Sequence, residues 1–197
     1  MTTPTPTPGL LICISGPSGV GKSTVCNRLA AELPAEFALS ATTRAAKPQD
    51  AQGKKYLFVN EPEFHKLIET GTLLEYANKF GNLYGTLKQP VLDAAAAGRT
   101  VVLEIEVQGA IQVHQAFPEA LCIFILPPSD DALLNRLRTR GRDDEATIQR
   151  RFAEAQEEIR SAETANIYDV FIINANIDTA VAQAKQAIAK FRHKLNV

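Results

Sequence analysis

The sequence predicts an α/β protein of three layers, in which helices cover both faces of a five-stranded, mostly parallel sheet. Two observations carry this prediction. Five short apolar runs alternate with segments of helical periodicity along most of the 197 residues. A glycine-rich turn also joins the first apolar run directly to the first helix. The core strands are expected near residues 10–15, 37–40, 100–106, 121–126 and 169–173.

The first strand, turn and helix form the context that a phosphate-binding loop requires. An apolar run at residues 10–14 precedes the stretch GPSGVGKS at 16–23, and a helical segment follows as far as Leu33. Glycines let backbone N–H groups approach an anion, and the helix N-terminus adds free donors. Lys22 supplies a point charge for the β- and γ-phosphates, and the Ser23 hydroxyl can ligate Mg²⁺. The loop predicts nucleotide binding, but ATPases, GTPases, transporters and small-molecule kinases all use it.

The segment between about residues 40 and 86 interrupts the alternation of strands and helices, as an inserted lobe would. Its residues predict several strands around one short helix. That helix is expected to begin at Asn60, where Glu63 completes a capping box, and to end at Gly71. The insertion indicates a second, smaller group of strands beside the main sheet.

Two carboxylates mark the carboxyl end of the strand expected at residues 100–106. Glu104 and Glu106 are two residues apart, so we expect them on one face of that strand. One interpretation is that both are solvent-exposed residues at the edge of the sheet without a ligand. A ligand-binding role is favoured because open α/β sheets bind ligands outside the carboxyl ends of their strands.

Four arginines lie close together after the apolar run at residues 121–126. They surround Gly141 and repel one another unless an anion lies among them; they are Arg136, Arg138, Arg140 and Arg142. A solvated basic face is one interpretation, but the phosphate loop favours contact with phosphate. Helices over about residues 144–164 and 177–195, on either side of the last strand, complete the chain.

Composition excludes several classes of protein. A hydrophobic content of 45% is enough for a core, and the formal net charge of −1 gives no general attraction to nucleic acid or acidic membranes. No apolar run approaches the length of a membrane span. Three cysteines without a CxxC pattern indicate reduced core residues of a cytoplasmic protein. Residues 1–9, rich in Thr and Pro, predict a disordered tail rather than a signal peptide.

Motifs spread over nearly the whole chain resemble those of the guanylate kinase family. They are GPSGVGKST at 16–24, SxTTR at 40–44, GxxYxF at 53–58, EYA at 75–77, GNxYGT at 81–86, LEIEVQG at 103–109, RLxxRG at 136–141, IxxR at 148–151 and YDxxIxN at 168–174. The resemblance implies a P-loop kinase fold with an inserted α+β GMP-binding lobe at 40–86 and a short lid at 139–151. The core of the domain at 10–197 would then comprise residues 10–39, 87–138 and 152–197.

The resemblance implies transfer of the γ-phosphoryl group of ATP to GMP, with Mg²⁺ and without a dedicated general base. Asn174 would lie near the adenine of ATP, and the loop would hold the phosphates through Gly16, Pro17, Ser18, Gly19, Val20, Gly21, Lys22, Ser23 and Thr24. The residues implied to act on the transferring group are Lys22, Arg136, Arg140 and Arg151. Ser23 would ligate Mg²⁺ directly, and Glu104 would do so through a water.

On the acceptor side, the resemblance implies a GMP site with separate contacts to phosphate and base. The residues implied to hold the phosphate are Ser40, Arg44, Lys47, Tyr56 and Tyr84. Glu75 and Thr86 would read the guanine, because one carboxylate can accept from both N1–H and N2–H₂ whereas adenine offers an acceptor at N1. Glu104 and Glu106 would complete this side of the site.

Three departures from the family pattern bear on the site. Lys47 replaces the usual arginine and so lacks its bidentate fork, and Ala46 replaces a proline. Glu104 and Glu106 replace aspartates and reach one methylene further. The oligomeric state is not predicted.

Two alternative functions follow from the same motifs. One is a catalytically inactive guanylate-kinase-like protein-interaction module, and the other is a kinase of this fold that acts on a sugar phosphate. An interaction module needs no triphosphate cradle, so the intact Lys22 and the arginines favour an enzyme. Glu75, Tyr84 and Thr86 favour a nucleotide over a sugar phosphate as the acceptor.

Overall fold

The structure, a computed structural model, describes residues 9–47, 50, 55–139 and 144–195. The strands in chain order are β1 (Leu11–Ser15), β2 (Ala35–Phe37), β3 (Ser40–Thr42), β4 (Tyr56–Phe58), β5 (Leu73–Lys79), β6 (Asn82–Leu87), β7 (Thr100–Glu104), β8 (Leu121–Leu126) and β9 (Val170–Ile173). The helices are α1 (Lys22–Glu32), α2 (Glu61–Glu69), α3 (Lys88–Ala96), α4 (Val107–Ala116), α5 (Asp130–Thr139), α6 (Glu145–Ala165) and α7 (Ile177–Leu195). Residues 1–8 of the expected tail, Gly53 and Arg140 lie outside the described residues.

A central sheet of five strands runs in the order β2-β7-β1-β8-β9, and every neighbouring pair is parallel. Val25 of α1 and Val181 of α7 pack on one face of this sheet with Ile12 of β1. Val91 of α3 and Val113 of α4 pack on the other face. Strands covered on both faces read as continuous apolar runs, as β1 and β8 do. The predicted three-layer α/β fold is confirmed.

A second sheet of four strands has the order β4-β3-β6-β5. β3 pairs in parallel with β4 and antiparallel with β6, which is itself antiparallel to β5. α2 buries Phe64 completely beneath this sheet. The Asn60 side chain accepts from Glu63 N (2.8 Å), and the Glu63 carboxylate accepts from Asn60 N (2.9 Å). The predicted capping box at the start of α2 is therefore confirmed.

The strand predicted at residues 37–40 was wrong, because this segment is divided between the two sheets. Ala38 N still donates to Val102 O (3.0 Å) of the central sheet, whereas Ser40 N donates to Lys55 O (3.0 Å) of the second sheet. The chain therefore passes from one sheet to the other within three residues. Next to this crossing, Leu87 N donates to Leu39 O (2.9 Å) where the chain returns.

The strand predicted at residues 100–106 is also shorter than expected. β7 ends at Glu104, and Glu106 is the residue before the first turn of α4. The prediction that both carboxylates lie on one face of a strand was therefore wrong. Glu104 ends β7 and Glu106 directly precedes α4, and both side chains face the same space.

The three cysteines belong to the core. Cys13 and Cys122 are paired in register on β1 and β8, Cys26 lies in α1, and all three are buried and free of disulfides. Burial raises the pKa of the Cys26 thiol well above its ordinary value. Within the described part of the chain, no helix combines the length and apolar character needed to cross a membrane.

Candidate active site

The glycine-rich loop follows β1 at the carboxyl edge of the central sheet, with β7 and β8 on either side. α1 begins at Lys22, directly after Gly21, whose φ is +96°. Any other residue would be strained there, and a β-carbon would lie 2.6 Å from the Asn174 amide nitrogen. The loop therefore directs the N-terminus of α1, with its free N–H groups, at whatever occupies the space above it.

One cavity of about 250 Å³ connects this loop with the second sheet. Its wall contains predicted residues from both regions: Pro17, Ser18, Gly19, Gly21, Lys22, Ser23, Thr24, Ser40, Tyr56, Glu75, Tyr84, Glu104 and Glu106. It also contains four residues that the sequence did not predict, namely Ala77, Lys79, Gly85 and Ile105. Residues far apart in sequence thus meet around a single space.

Glu75 is a buried carboxylate in the wall of this cavity, with 4% of its surface exposed. Its Oε1 accepts hydrogen bonds from Thr86 N (2.9 Å) and Thr86 Oγ1 (2.6 Å). On its other side, a β-carbon at Gly109 would overlap Glu75 Oε2. Burial raises the Glu75 pKa from 4.5 to about 7, and the hydrogen bonds from Thr86 offset only part of that rise. A ligand with paired N–H donors would stabilise the ionised form.

Thr86 itself is completely buried and does not reach the cavity wall. Its hydroxyl, which the family resemblance assigns to guanine, donates instead to Glu75. In this arrangement Thr86 orients the carboxylate rather than meeting a ligand directly.

A row of alternating charges runs beside the cavity. Lys22 Nζ lies 3.4 Å from Glu106 Oε1, and Lys79 Nζ lies 2.6 Å from Glu106 Oε2 and 3.5 Å from Glu158 Oε1. Burial would raise the Glu106 pKa, but the two lysines lower it below its ordinary value. Burial would lower the Lys22 pKa, but the carboxylates, led by Glu106, raise it. Both Lys22 and Glu106 are therefore charged at neutral pH.

Two oxygen atoms of the kind that binds divalent cations lie together beside the loop. Ser23 Oγ donates to Glu104 Oε1 at 2.5 Å, and both side chains line the cavity. Hydroxyl and carboxylate oxygens suit Mg²⁺, which commonly binds one or two protein oxygens and completes its shell with phosphate and water. No cluster of three or more His, Cys, Asp or Glu suited to a metal occurs in the described residues. The pair fits a cation held jointly with a bound phosphate.

Three predicted phosphate ligands line the cavity, and two do not. Ser40, Tyr56 and Tyr84 are on the wall. Burial raises the pKa of Tyr56 to about 12, and the negative charge of Glu104 adds to the rise. Because Tyr56 stays protonated, its hydroxyl can donate to an anion. The two that do not line the wall are Arg44 and Lys47.

Arg44 is paired with a carboxylate of its own loop. Its guanidinium donates to both oxygens of Asp50 at 2.8 Å, and its central carbon lies 5.0 Å from the centre of the Tyr56 ring. Lys47 N also donates to Asp50, at 2.7 Å. The hydrogen bonds from Arg44 lower the Asp50 pKa to about 2. Asp50 thus presents to Arg44 the same bidentate anion that a phosphate would.

Arg136 and Asn174 support the glycine-rich loop from behind. Arg136 donates to Val20 O (3.2 Å) and Asn174 O (2.7 Å), and Asn174 Nδ2 donates to Val20 O (2.7 Å). Neither side chain is on the cavity wall. Arg151 lies on α6, with its guanidinium carbon 5.1 Å from the centre of the Phe80 ring.

The comparison of this sequence with protein families decides the relationship. The family model described as "Guanylate kinase" matches residues 9–191. The chain belongs to the guanylate kinase family.

Relatives in this family cover nearly the whole chain. A protein named guanylate kinase from Thermosynechococcus vestitus is 48% identical over 95% of this chain and 97% of its own length. One from Clostridioides difficile is 40% identical over 95% of this chain and 91% of its own length. The crystal structure of guanylate kinase from Anaplasma phagocytophilum matches with a TM-score of 0.75 and 31% identity, covering 93% of this chain and 86% of that one. The resemblance seen in the motifs is confirmed, and the chain is an enzyme of the guanylate kinase family.

The guanylate kinase motifs did not predict every charged group that the structure places at the site. Lys79 lies between the motifs EYA and GNxYGT, and Glu158 and Asp50 lie outside any motif. Proximity to a motif was the one available signal for Lys79. Nothing in the local sequence distinguishes Glu158 from the exposed glutamates of α6.

Proposed function

We propose that this protein transfers the γ-phosphoryl group of ATP to GMP in a Mg²⁺-dependent reaction that yields ADP and GDP. The observation that carries the proposal is the single cavity shared by the glycine-rich loop and the buried Glu75. A phosphate cradle suits a nucleoside triphosphate. A buried carboxylate beside it suits a guanine, which presents two adjacent N–H donors.

In this proposal Glu75 selects the acceptor base. Its ionised carboxylate would accept from N1–H and N2–H₂ of guanine, while Thr86 acts on the base through Glu75 by holding Oε1. Adenine would leave the buried carboxylate unpaired. Sites that depend on such hydrogen bonds discriminate by factors on the order of 10⁴.

The acceptor phosphate would be held by the hydroxyls on the cavity wall and by the basic loop beside them. These residues are Ser40, Arg44, Lys47, Tyr56 and Tyr84. We propose that the phosphate replaces Asp50 as the partner of Arg44, since both are bidentate anions. Glu104 and Glu106 would border the acceptor from the central sheet.

Catalysis would depend on alignment and on neutralising charge, because the acceptor is already an anion and needs no base. Lys22, kept protonated by its carboxylate neighbours, would follow the transferring group. The arginines proposed to close over that group are Arg136, Arg140 and Arg151. Mg²⁺, bound directly by Ser23 and through a water by Glu104, would supply positive charge to the donor phosphates. The ATP phosphates would rest on residues 16–24, with Asn174 on the adenine side.

We also propose that the reaction takes place in the cytoplasm. Three buried cysteines without a disulfide are consistent with a reducing compartment.

A coupled assay with ATP and Mg²⁺ tests the proposal by comparing GMP, dGMP, AMP and UMP as acceptors. We expect turnover of GMP, a strong preference over AMP, and dependence on Mg²⁺. Lys22→Met should lower kcat by a factor on the order of 10² to 10³, whereas Lys66→Met on the exposed side of α2 should not. Equal use of AMP would refute base selection by Glu75. A folded protein that turns over no nucleotide would refute the proposal and favour the interaction module.

A further inference from the structure

The turn between β5 and β6 has a backbone conformation that its sequence does not favour. Lys79 pairs with Asn82, so Phe80 and Gly81 form a two-residue hairpin turn. Both have positive φ, 51° and 76°, as in a type I′ turn. The first position of such a turn favours Asn or Asp, and a bulky side chain is an outlier there.

Burial does not explain the phenylalanine at this position. The Phe80 side chain is 39% exposed, so the hydrophobic gain from its packing is modest. A residue held in an unfavourable conformation without deep burial points to a role outside the local fold.

What the Phe80 ring does contact is positive charge. The Arg151 guanidinium carbon lies 5.1 Å from the ring centre, and Lys79 Nζ lies 5.8 Å from it. Both distances fall within the range in which an aromatic face attracts a cation. The contact with Arg151 joins the second sheet to α6.

A second contact connects the same hairpin with α6. Lys79 Nζ lies 3.5 Å from Glu158 Oε1. Glu158 follows Arg151 by seven residues, or two helical turns, so both lie on one face of α6. The hairpin tip therefore contacts this face at two points, and one of them is the arginine proposed to act on the phosphoryl group.

The hairpin also carries the residues proposed to bind the acceptor. Glu75 lies on β5 and Tyr84 on β6, and Thr86 of β6 orients Glu75. An acceptor held by these strands is therefore bound to the same hairpin whose turn touches Arg151. Phe80 therefore lies between Arg151 and the strands that carry the residues proposed to bind the acceptor.

We propose that Phe80 is a positioning residue for phosphoryl transfer, and that its ring holds the Arg151 guanidinium ready for the transferring group. An arginine side chain has many rotamers, and a contact that restricts it beforehand removes that entropic cost from the reaction step. The proposal rests on the proposed function, because it concerns the same phosphoryl transfer.

Two substitutions distinguish the effect of the aromatic ring from the effect of the turn conformation. Phe80→Asn supplies the residue that a type I′ turn prefers and removes the ring, and Phe80→Tyr keeps the ring. We expect Phe80→Asn to lower kcat by roughly tenfold, with KM for GMP and ATP within about twofold of wild type. Its melting temperature should equal or exceed that of wild type, because the backbone strain is relieved. Phe80→Tyr should keep the wild-type kcat.

A double-mutant cycle with Arg151→Met shows whether Phe80 acts through the arginine. In the Arg151→Met background, Phe80→Asn should have no further effect on kcat. The proposal is overturned if the kcat of Phe80→Asn or of Arg151→Met equals that of wild type. It is also overturned if Phe80→Asn lowers kcat by the same factor in wild type and in Arg151→Met. Two further results would overturn it: a change in Phe80→Asn that is confined to KM for GMP, or a kcat of Phe80→Tyr below that of wild type. If wild type itself fails to phosphorylate GMP, the proposed function is what has failed.

Discussion

Replacing Glu75 with glutamine should change how the stability of the protein depends on pH. Burial raises the Glu75 pKa from 4.5 to about 7, so between these values the folded protein binds more protons than the unfolded chain does. The stability contributed by the neutral carboxyl is therefore fully present below pH 4.5 and is lost as the pH rises through 7. Glutamine cannot ionise, so Glu75→Gln should not show this loss.

The size of the effect follows from the two pKa values. Their difference corresponds to about 3.4 kcal/mol of unfolding free energy, since each factor of ten in proton affinity is worth about 1.36 kcal/mol. Integration over the titration shows that about 2.5 kcal/mol of this unfolding free energy is lost between pH 5 and pH 8. Glu75 is only 4% exposed, so solvent screening removes little of it.

Urea denaturation of wild type and Glu75→Gln at pH 5 and pH 8, without nucleotide, measures this quantity. The free energy of unfolding of the variant, relative to wild type, should rise by about 2.5 kcal/mol from pH 5 to pH 8. Other titrating groups are common to both proteins and cancel in the difference. Glu69→Gln, at an exposed position of α2, is the matched control and should show a constant difference. A constant difference for Glu75→Gln as well would refute the argument that burial perturbs this carboxyl.

Three further predictions test the site and the fold separately. Calorimetry should show that the affinity of wild type for GMP, relative to that of Glu75→Gln, rises about tenfold from pH 6 to pH 8, because in the proposed site it is the ionised carboxylate that binds the base. Dividing by the affinity of the variant cancels the ionisation of GMP itself, and a ratio independent of pH would contradict the proposed role of Glu75. Gly109→Ala should raise KM for GMP by about tenfold and leave KM for ATP unchanged in steady-state assays, because the added β-carbon would displace Glu75; equal changes in both constants would contradict that contact. Asn60→Ala should lower the free energy of unfolding by about 1 kcal/mol in urea and leave kcat unchanged, because it removes only the cap of α2; a lower kcat would show that the cap also affects the site.

The elements that the sequence predicted well are those whose signal is local. β8 is a run of six apolar residues, a pattern that is typical of a strand buried on both faces. The capping box at Asn60 and the glycine-rich turn depend on residues within a few positions of one another. The boundaries at Phe37 and Glu104 were missed because pairing with another strand decides them, and the residues themselves are compatible with longer strands.

The site was predictable to the extent that motifs specify it. Lys22 and Ser23 follow from the loop, and Glu75 was assigned by resemblance and lies on the expected cavity wall. The partners of these residues were not predictable, since the contacts of Glu106 with Lys22 and Lys79 join segments that meet only in the folded chain. Spacing along a sequence does not encode such distances.

The two points where the chain passes between the sheets have a mechanical consequence. Leu39 lies between β2 and β3 and Leu87 ends β6, and a hydrogen bond of 2.9 Å joins them. The two backbone connections between the sheets therefore lie side by side, and the middle strands of the second sheet, β3 and β6, continue directly from them. A substitution that disturbed this pair would act on the attachment of the second sheet, and so on the position of Glu75, without changing any residue of the cavity wall.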